Sequence, residues 1–377
     1  MEKQHFNILI LRPNLDVGGA SQHISLLSKG LLQKRHNIHC VFSNADTYNY
    51  LSDLAVSIHQ TRLHPSTITI FLQGFFSIIH LCIKNRIDIL HSHHRFTSII
   101  ARFVSFFLGV PLVVTLHEFH DDWKILARYW TGDITLVPSE SLKKHLIGYY
   151  GIKPERIISI FNGIEQQPTN LEIPFDIKGE YRLSGVKRIG FVGRFSPEKG
   201  IRYLVESIPM VLAEHENVEF FFIGEGALEA EIRQLVMELE ISPKTHFFGY
   251  RPNPDWFYTY LDLLVIPSLS ESFGLVAVEA MRVKCPIIAT NVGGSKEVVQ
   301  DGVTGILIPS RSPCHIADAI NKLLLEEEKL TELGEAGYKH FLENFCLENM
   351  VDEVEKKYWY ILSKDRRRFR LFKWRSN

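Results

Sequence analysis

The chain has little cysteine, and what it has forms no pattern. Cys40, Cys82, Cys285, Cys314 and Cys346 are scattered, odd in number and never arranged as Cys-x-x-Cys. That excludes a disulfide-stapled fold and a cysteine zinc site, and it predicts a reducing compartment. Long clean apolar runs are missing too. Gln73 and His80 interrupt residues 68–83, and Arg102 with Gly109-Val110-Pro111 breaks residues 99–114. Neither stretch suits a bilayer span, so both are expected to be buried helices. Residues 1–11 lack the apolar core and cleavage site of a signal peptide, and 6–11 read as a first strand.

Net charge is also small, at −1, but it hides an asymmetry. From Lys364 to Arg375 there are seven Lys/Arg and one Asp, a balance of +6, so the rest carries −7. Phe369, Leu371, Phe372 and Trp374 lie among these charges. Such an end suits peripheral contact with an anionic membrane surface, against the plainer reading of a frayed, solvated tail. No nucleic-acid partner is expected. With 377 residues, 45% apolar and 23% charged, the chain is globular and large enough for two domains.

Apolar runs followed by turn residues occur at 6–11, 38–43, 87–91, 111–117, 134–138 and 157–161, with helical periodicity between them, as in Ile24, Leu27 and Leu31. This is the signature of a parallel sheet covered on both faces. The rhythm lapses at 166–186, where Pro168, Pro174, Gly179 and Gly185 mark a linker. It resumes at 188–192, 218–223, 245–248, 263–267, 286–290 and 305–308, then gives way to helices from Pro313 to about Ser363. The expected domains are 1–165 and 187–345, followed by a C-terminal helix at 346–363 and the basic tail at 364–377. Ligands in such sheets bind beyond the carboxyl ends of the strands.

Four segments at those ends could carry chemistry. Val17-Gly18-Gly19-Ala20 follows the first strand and opens a helix, where a close backbone approach and a helix N-terminus favour an anion; a tight turn explains it equally well. It is not a Gly-x-Gly-x-x-Gly fingerprint, which disfavours a dehydrogenase. The histidines of His91-Ser-His93-His94 and His117-Glu-Phe-His120 invite a metal reading. However, His117 and His120 are separated by two residues rather than the three of the helical zincin motif, so no metal is expected. His117, expected at the end of its strand, is the best single candidate. In Gly193-Arg194-Phe-Ser-Pro-Glu-Lys199-Gly200, two cations stand beside a helix start, which suits a diphosphate. In Glu271-Ser-Phe-Gly-Leu-Val-Ala-Val-Glu279, two carboxylates bracket a buried helix start. Helical rise puts them about 12 Å apart, too far for a glycosidase pair but able to span a nucleotide sugar.

These pieces together resemble glycosyltransferase family 4 (group 1), over nearly all of residues 6–360. The resemblance rests on Gly18-Gly19, Gly109-Val-Pro-Leu-Val-Val-Thr-Leu-His117, Phe161-Asn-Gly-Ile164, Gly193-Arg194…Lys199-Gly200, Glu271-x7-Glu279 and Gly293-Gly-Ser-Lys-Glu297. It implies an α/β GT-B fold, with two Rossmann-like doubly wound domains facing across a cleft and the helix at 346–363 packing back on the first. It implies a retaining transfer from a nucleotide-diphosphate sugar (UDP- or GDP-linked) to a glycan or lipid-linked acceptor, without cofactor or metal. Cell-surface polysaccharide synthesis on the cytoplasmic side would fit. Arg194 and Lys199 would bind the diphosphate, with Gly18 and Gly19 facing the phosphates from the first domain. Glu279 would hold the ribose, Tyr250 would meet the base, and Phe273, Gly274 and Leu275 would line the approach. Glu271 and His117 would act at the transferred sugar. A nucleotide-sugar epimerase on the same fold and a non-catalytic nucleotide-sugar-binding protein are the rival readings.

Overall fold

The computed structural model describes residues 5–14, 18–43, 51, 54–63, 67–122, 124–168, 171–172, 185–252 and 254–365. The linker residues 169–170 and 173–184, Val17 and the basic tail beyond Asp365 lie outside them. The chain forms two compact units. One is Met1–Gly163 with Leu347–Asn377, and the other is Ile164–Cys346.

The first unit is built on a parallel sheet of seven strands: β1 (Asn7–Leu11), β2 (Asn37–Phe42), β3 (Ser57–Gln60), β4 (Ile89–Ser92), β5 (Leu112–Thr115), β6 (Ile134–Val137) and β7 (Ile157–Ser159). Their order is β3-β2-β1-β4-β5-β6-β7. Side chains alternate across a strand, so Leu9 and Leu11 face one core while Ile8 and Ile10 face another. Helices Gly19–Gln33 and Leu347–Asp365 cover the second face, so close together that a Cβ on Gly30 would overlap Val351. Helices Ile68–Lys84 and Arg95–Leu108 cover the first.

The second unit has six parallel strands: β8 (Lys187–Val192), β9 (Val218–Ile223), β10 (Thr245–Phe247), β11 (Leu263–Ile266), β12 (Ile287–Thr290) and β13 (Ile306–Ile308). Their order is β10-β9-β8-β11-β12-β13. Phe220 and Phe222 enter the main core of this unit. Phe221 points the other way, stacking on His246 and meeting Tyr260 edge-on. In each sheet the chain winds outward first to one side and then to the other. The switch points lie between β1 and β4 and between β8 and β11.

Three sequence expectations need correction. β3 was not anticipated, because Ser57-Ile58-His59-Gln60 is a half-exposed edge strand with a single aliphatic residue. His117 does not end its strand; β5 stops at Thr115, and His117 stands two residues beyond. The two apolar helices are not buried all round. Ile68, Leu72, Phe76 and Ile83 on one, and Phe103, Phe106 and Phe107 on the other, are exposed to solvent. A helix lying on a sheet buries only the stripe that touches it, so apolar content alone does not decide burial. Among the described residues, no helix is long and apolar enough to cross a membrane.

Candidate active site

In the second unit, the loops after β8 and β11 meet at the switch point. After β8 the chain forms a tight turn at Pro197–Lys199, then Gly200 takes a left-handed conformation (φ 63°) that starts helix Ile201–Leu212. A side chain at Gly200 would overlap the Pro267 carbonyl oxygen at the end of β11. Only glycine lets these two loops come so close. Leu269 N–H donates to the Glu198 carbonyl (2.8 Å), which ties the loops together.

That closeness puts Lys199 Nζ 2.7 Å from Glu271 Oε2. Ser268 Oγ donates to the same oxygen at 3.4 Å. Gly294 N–H donates to the Glu271 carbonyl at 2.7 Å, and a Cβ on Gly294 would crowd the Ser272 backbone. Thus the Gly293-Gly294 turn after β12 fixes the Glu271 loop from its other side. Arg194 is exposed on the β8 loop.

Gly274 then caps helix Leu275–Arg282 with φ 109° and no side-chain cap. The first N–H groups of a helix have no partner within it, and the macrodipole makes that end electropositive. The helix begins only at Leu275, so the helical-rise spacing of Glu271 and Glu279 holds for just the later part of the segment. Phe273 is buried, and its ring meets Phe345 edge-on. Glu279 is buried one turn along and accepts a hydrogen bond from Tyr258 Oη at 2.7 Å. Burial, with the neighbouring Glu279, pushes the Tyr258 hydroxyl well above its ordinary pKa, so it stays a donor. Beneath it, Arg282 forms a buried ion pair with Asp255 and donates to the Glu165 carbonyl at 3.1 Å.

Tyr250 lies beyond β10, half-exposed, with its N–H donating to Glu225 Oε1 at 3.0 Å. Glu225 belongs to the Gly224-Glu-Gly226 turn after β9. Gly224 and Gly226 press so closely on the Gly193 and Phe195 backbone that neither admits a side chain. Five strand ends therefore supply one continuous wall.

In the first unit, Gly18 caps helix Gly19–Gln33 with φ 154° and no side-chain cap, and both glycines are exposed. One turn further along this helix is His23, which sequence reasoning passed over. Its Nδ1 lies 2.9 Å from Asn162 Oδ1, and its ring meets His117 edge-on at 4.9 Å. His93 Nδ1 is 3.2 Å from His117 Nε2. Below them His91 is held between Tyr358 Oη (2.6 Å) and the Thr115 hydroxyl (2.7 Å). Burial lowers the pKa of His23 to about 4 and of His91 to about 3, and holds His93 and His117 well below the ordinary range. The cluster is neutral near pH 7.

His117 thus groups with His93 and His23 rather than with His120. Ring nitrogens of these three lie within 4.8 Å of one another, and the Nε2 atoms of His23 and His93 are buried without a partner. As a donor set, three neutral imidazoles could hold a transition-metal ion. The signal for His23 was its position four residues after Gly19, on the same face of the helix. Tyr258 and Ser268 had no sequence signal, since each acts through a contact distant in the chain.

Comparison with known proteins places this geometry. Residues 175–340 match glycosyl transferases group 1, and residues 17–167 match glycosyltransferase family 4. An uncharacterized glycosyltransferase of Methanocaldococcus jannaschii is 31% identical over 358 residues, covering 91% of this chain and 94% of the relative. This chain belongs to the family 4, group 1 glycosyltransferases. The N-acetyl-alpha-D-glucosaminyl L-malate synthase of Bacillus anthracis is 27% identical, with 93% of this chain and 96% of that protein covered. Among solved structures, a glycosyltransferase from Rickettsia africae superposes with a TM-score of 0.85 at 20% identity, covering 96% of this chain and 99% of that one. Anabaena HepE, solved in complex with UDP and glucose, gives 0.81 at 18% identity, covering 94% and 99%. The glycosyltransferase therefore has the GT-B fold, with two Rossmann-like α/β units. Its group 1 region contains Arg194, Lys199, Tyr250, Glu271 and Glu279, and its family 4 region contains Gly18, Gly19, His23, His93 and His117.

Proposed function

We propose that this glycosyltransferase moves a sugar from a UDP- or GDP-linked donor to a glycan or lipid-linked acceptor, with retention and without a metal, in cell-surface polysaccharide synthesis. The observation that carries this reading is the Lys199–Glu271 pair, set at the switch point beside the uncapped helix start at Gly274. A cation, a carboxylate and open backbone N–H groups at one place suit a sugar diphosphate. The UDP and glucose bound to HepE agree in kind.

Arg194, Lys199 and the helix start receive the diphosphate. Glu279, oriented by Tyr258, accepts from the ribose hydroxyls, Tyr250 meets the base, and Phe273, Gly274 and Leu275 line the approach of the transferred sugar. Glu271 and His117 accept from hydroxyls of the transferred sugar, and Gly18 and Gly19 offer backbone to the phosphates. As the bond from the anomeric carbon to the phosphate oxygen breaks, negative charge grows on the diphosphate, and preorganised positive groups lower the barrier. The acceptor oxygen bonds to the same face of that carbon while its proton passes to the departing diphosphate. With fixed cations in place, no divalent ion is required. This reading puts the enzyme on the cytoplasmic side, with the stretch from Lys364 to Arg375 touching the membrane.

A thermal-shift and hydrolysis screen of nucleotide sugars tests the donor, since a bound donor stabilises by mass action. The expected result is stabilisation by one UDP- or GDP-sugar, and acceptor-dependent release of free nucleotide diphosphate. Epimer formation without an acceptor, or no response to any nucleotide sugar, would overturn the reading.

A further inference from the structure

The outward faces of helices Ile68–Lys84 and Arg95–Leu108 form one apolar surface. On the first, Ile68, Leu72, Phe76 and Ile83 fall within about 80° of arc at 100° per residue. Ile68 is 73% exposed and Phe76 62%. On the second, Phe106 is 75% exposed and Phe107 59%. The stripes are stitched together by ring contacts, Phe71 to Phe103 and Phe75 to Phe107, both at 5.5 Å. The equal four-residue steps mean that the two helices run side by side in the same direction. Solvated aromatic clusters of this size are uncommon unless something covers them.

Charge says what. Neither helix contains an Asp or Glu, and exposed Lys84 and Arg86 stand at the end of the first. Arg95 and Arg102 on the second are held by Asp122 and Asp133. A second copy of this face brings only Asp122 and Asp133, which already hold Arg95 and Arg102. Residues 366–377 of the chain, which hold six Lys/Arg and no acid, bring no acidic group to Lys84 and Arg86. An anionic lipid surface supplies both phosphate for the cations and an acyl boundary for the phenylalanines.

We propose that this two-helix face is a membrane-docking surface that inserts Ile68, Phe76, Phe106 and Phe107 into the interface of an anionic bilayer. The surface includes none of the basic tail's residues and needs no bound nucleotide, so its failure would leave the donor reading intact. The test is co-sedimentation of the full chain with phosphatidylcholine vesicles, with and without phosphatidylglycerol. Wild type should sediment with the anionic vesicles. The triple variant Ile68→Ser, Phe76→Ser, Phe106→Ser should need more than about tenfold more lipid, because each side chain contributes apolar transfer energy. Lys84→Glu with Arg86→Glu should weaken binding to anionic vesicles only. A chain ending at Ser363 should keep binding that depends on the patch. Unchanged melting of the triple variant would show that it folds. The proposal falls if the triple variant binds like wild type. It also falls if wild type ignores vesicles but forms dimers that the same substitutions disperse.

Discussion

Lys199 and Glu271, 72 residues apart in the chain, form a 2.7 Å ion pair that is only partly shielded from solvent. It joins the loops that follow the two strands flanking the switch point of the second sheet. In this resting arrangement the carboxylate neutralises the cation and holds it in place. Under the proposed function, an incoming diphosphate would draw Lys199 away and leave Glu271 to accept from sugar hydroxyls. The pair is therefore a preorganised element, and it motivates the first prediction.

Lys199→Ala and Glu279→Ala should each lower kcat by roughly 100-fold or more, the usual cost of removing one preorganised group that stabilises transition-state charge or positions the substrate. Circular dichroism should show both variants folded. Full transfer activity in either one, measured as release of nucleotide diphosphate, would refute the donor-site assignment.

Gly200 and Gly151 separate backbone strain from close approach. Both have left-handed φ, 63° and 68°, but a Cβ at Gly151 meets open space while one at Gly200 meets the Pro267 carbonyl. Gly151→Ala should cost about 1–2 kcal/mol in chemical denaturation. Gly200→Ala should cost clearly more and should weaken donor stabilisation, because the loop carrying Lys199 must move away from β11. Equal costs would contradict the close approach.

The histidine cluster predicts acid sensitivity. His23 stays neutral in the folded chain until about pH 4, whereas the unfolded chain takes up the proton around its ordinary 6.5. The unfolded state then binds more protons, so stability is full above pH 6.5 and is lost as pH falls toward 4. His91 acts in the same direction, down to about 3. Urea midpoints should drop by an amount worth a few kcal/mol between pH 7 and 4.5. His23→Gln should flatten that slope; an unchanged slope would remove His23 from the account.

Chelation bears on the three-histidine group. If transfer needs no metal, dialysis against EDTA should leave the rate unchanged. Loss of activity restored by zinc or cobalt, and abolished in His93→Ala, would instead make His23, His93 and His117 a working metal site.

Much of the fold was legible because parallel strands buried on both faces must be apolar throughout, and such runs stand out at β1, β4, β5, β6, β9, β11 and β12. The glycine-rich loops at the strand ends were legible as well. Glycine is demanded where backbone meets backbone, so Gly200, Gly224, Gly226 and Gly294 mark those places in the linear text, and Gly274 marks a left-handed helix start. β3 was hidden, because an edge strand needs hydrogen-bonding neighbours more than apolar residues.

By itself the sequence determined the family, the alternation of strand and helix, and the residue types offered at each strand end. Only tertiary structure decided which of them meet. His23, His93 and His117 come from a helix and two strand ends, and they converge because β1 and β4 are neighbours at a switch point, which chain distance does not encode. Lys199 meets Glu271 for the same reason at β8 and β11. The burial of the two apolar helices was likewise decided in three dimensions, since a sheet can cover only one side of a helix and leaves the other to whatever the surface binds.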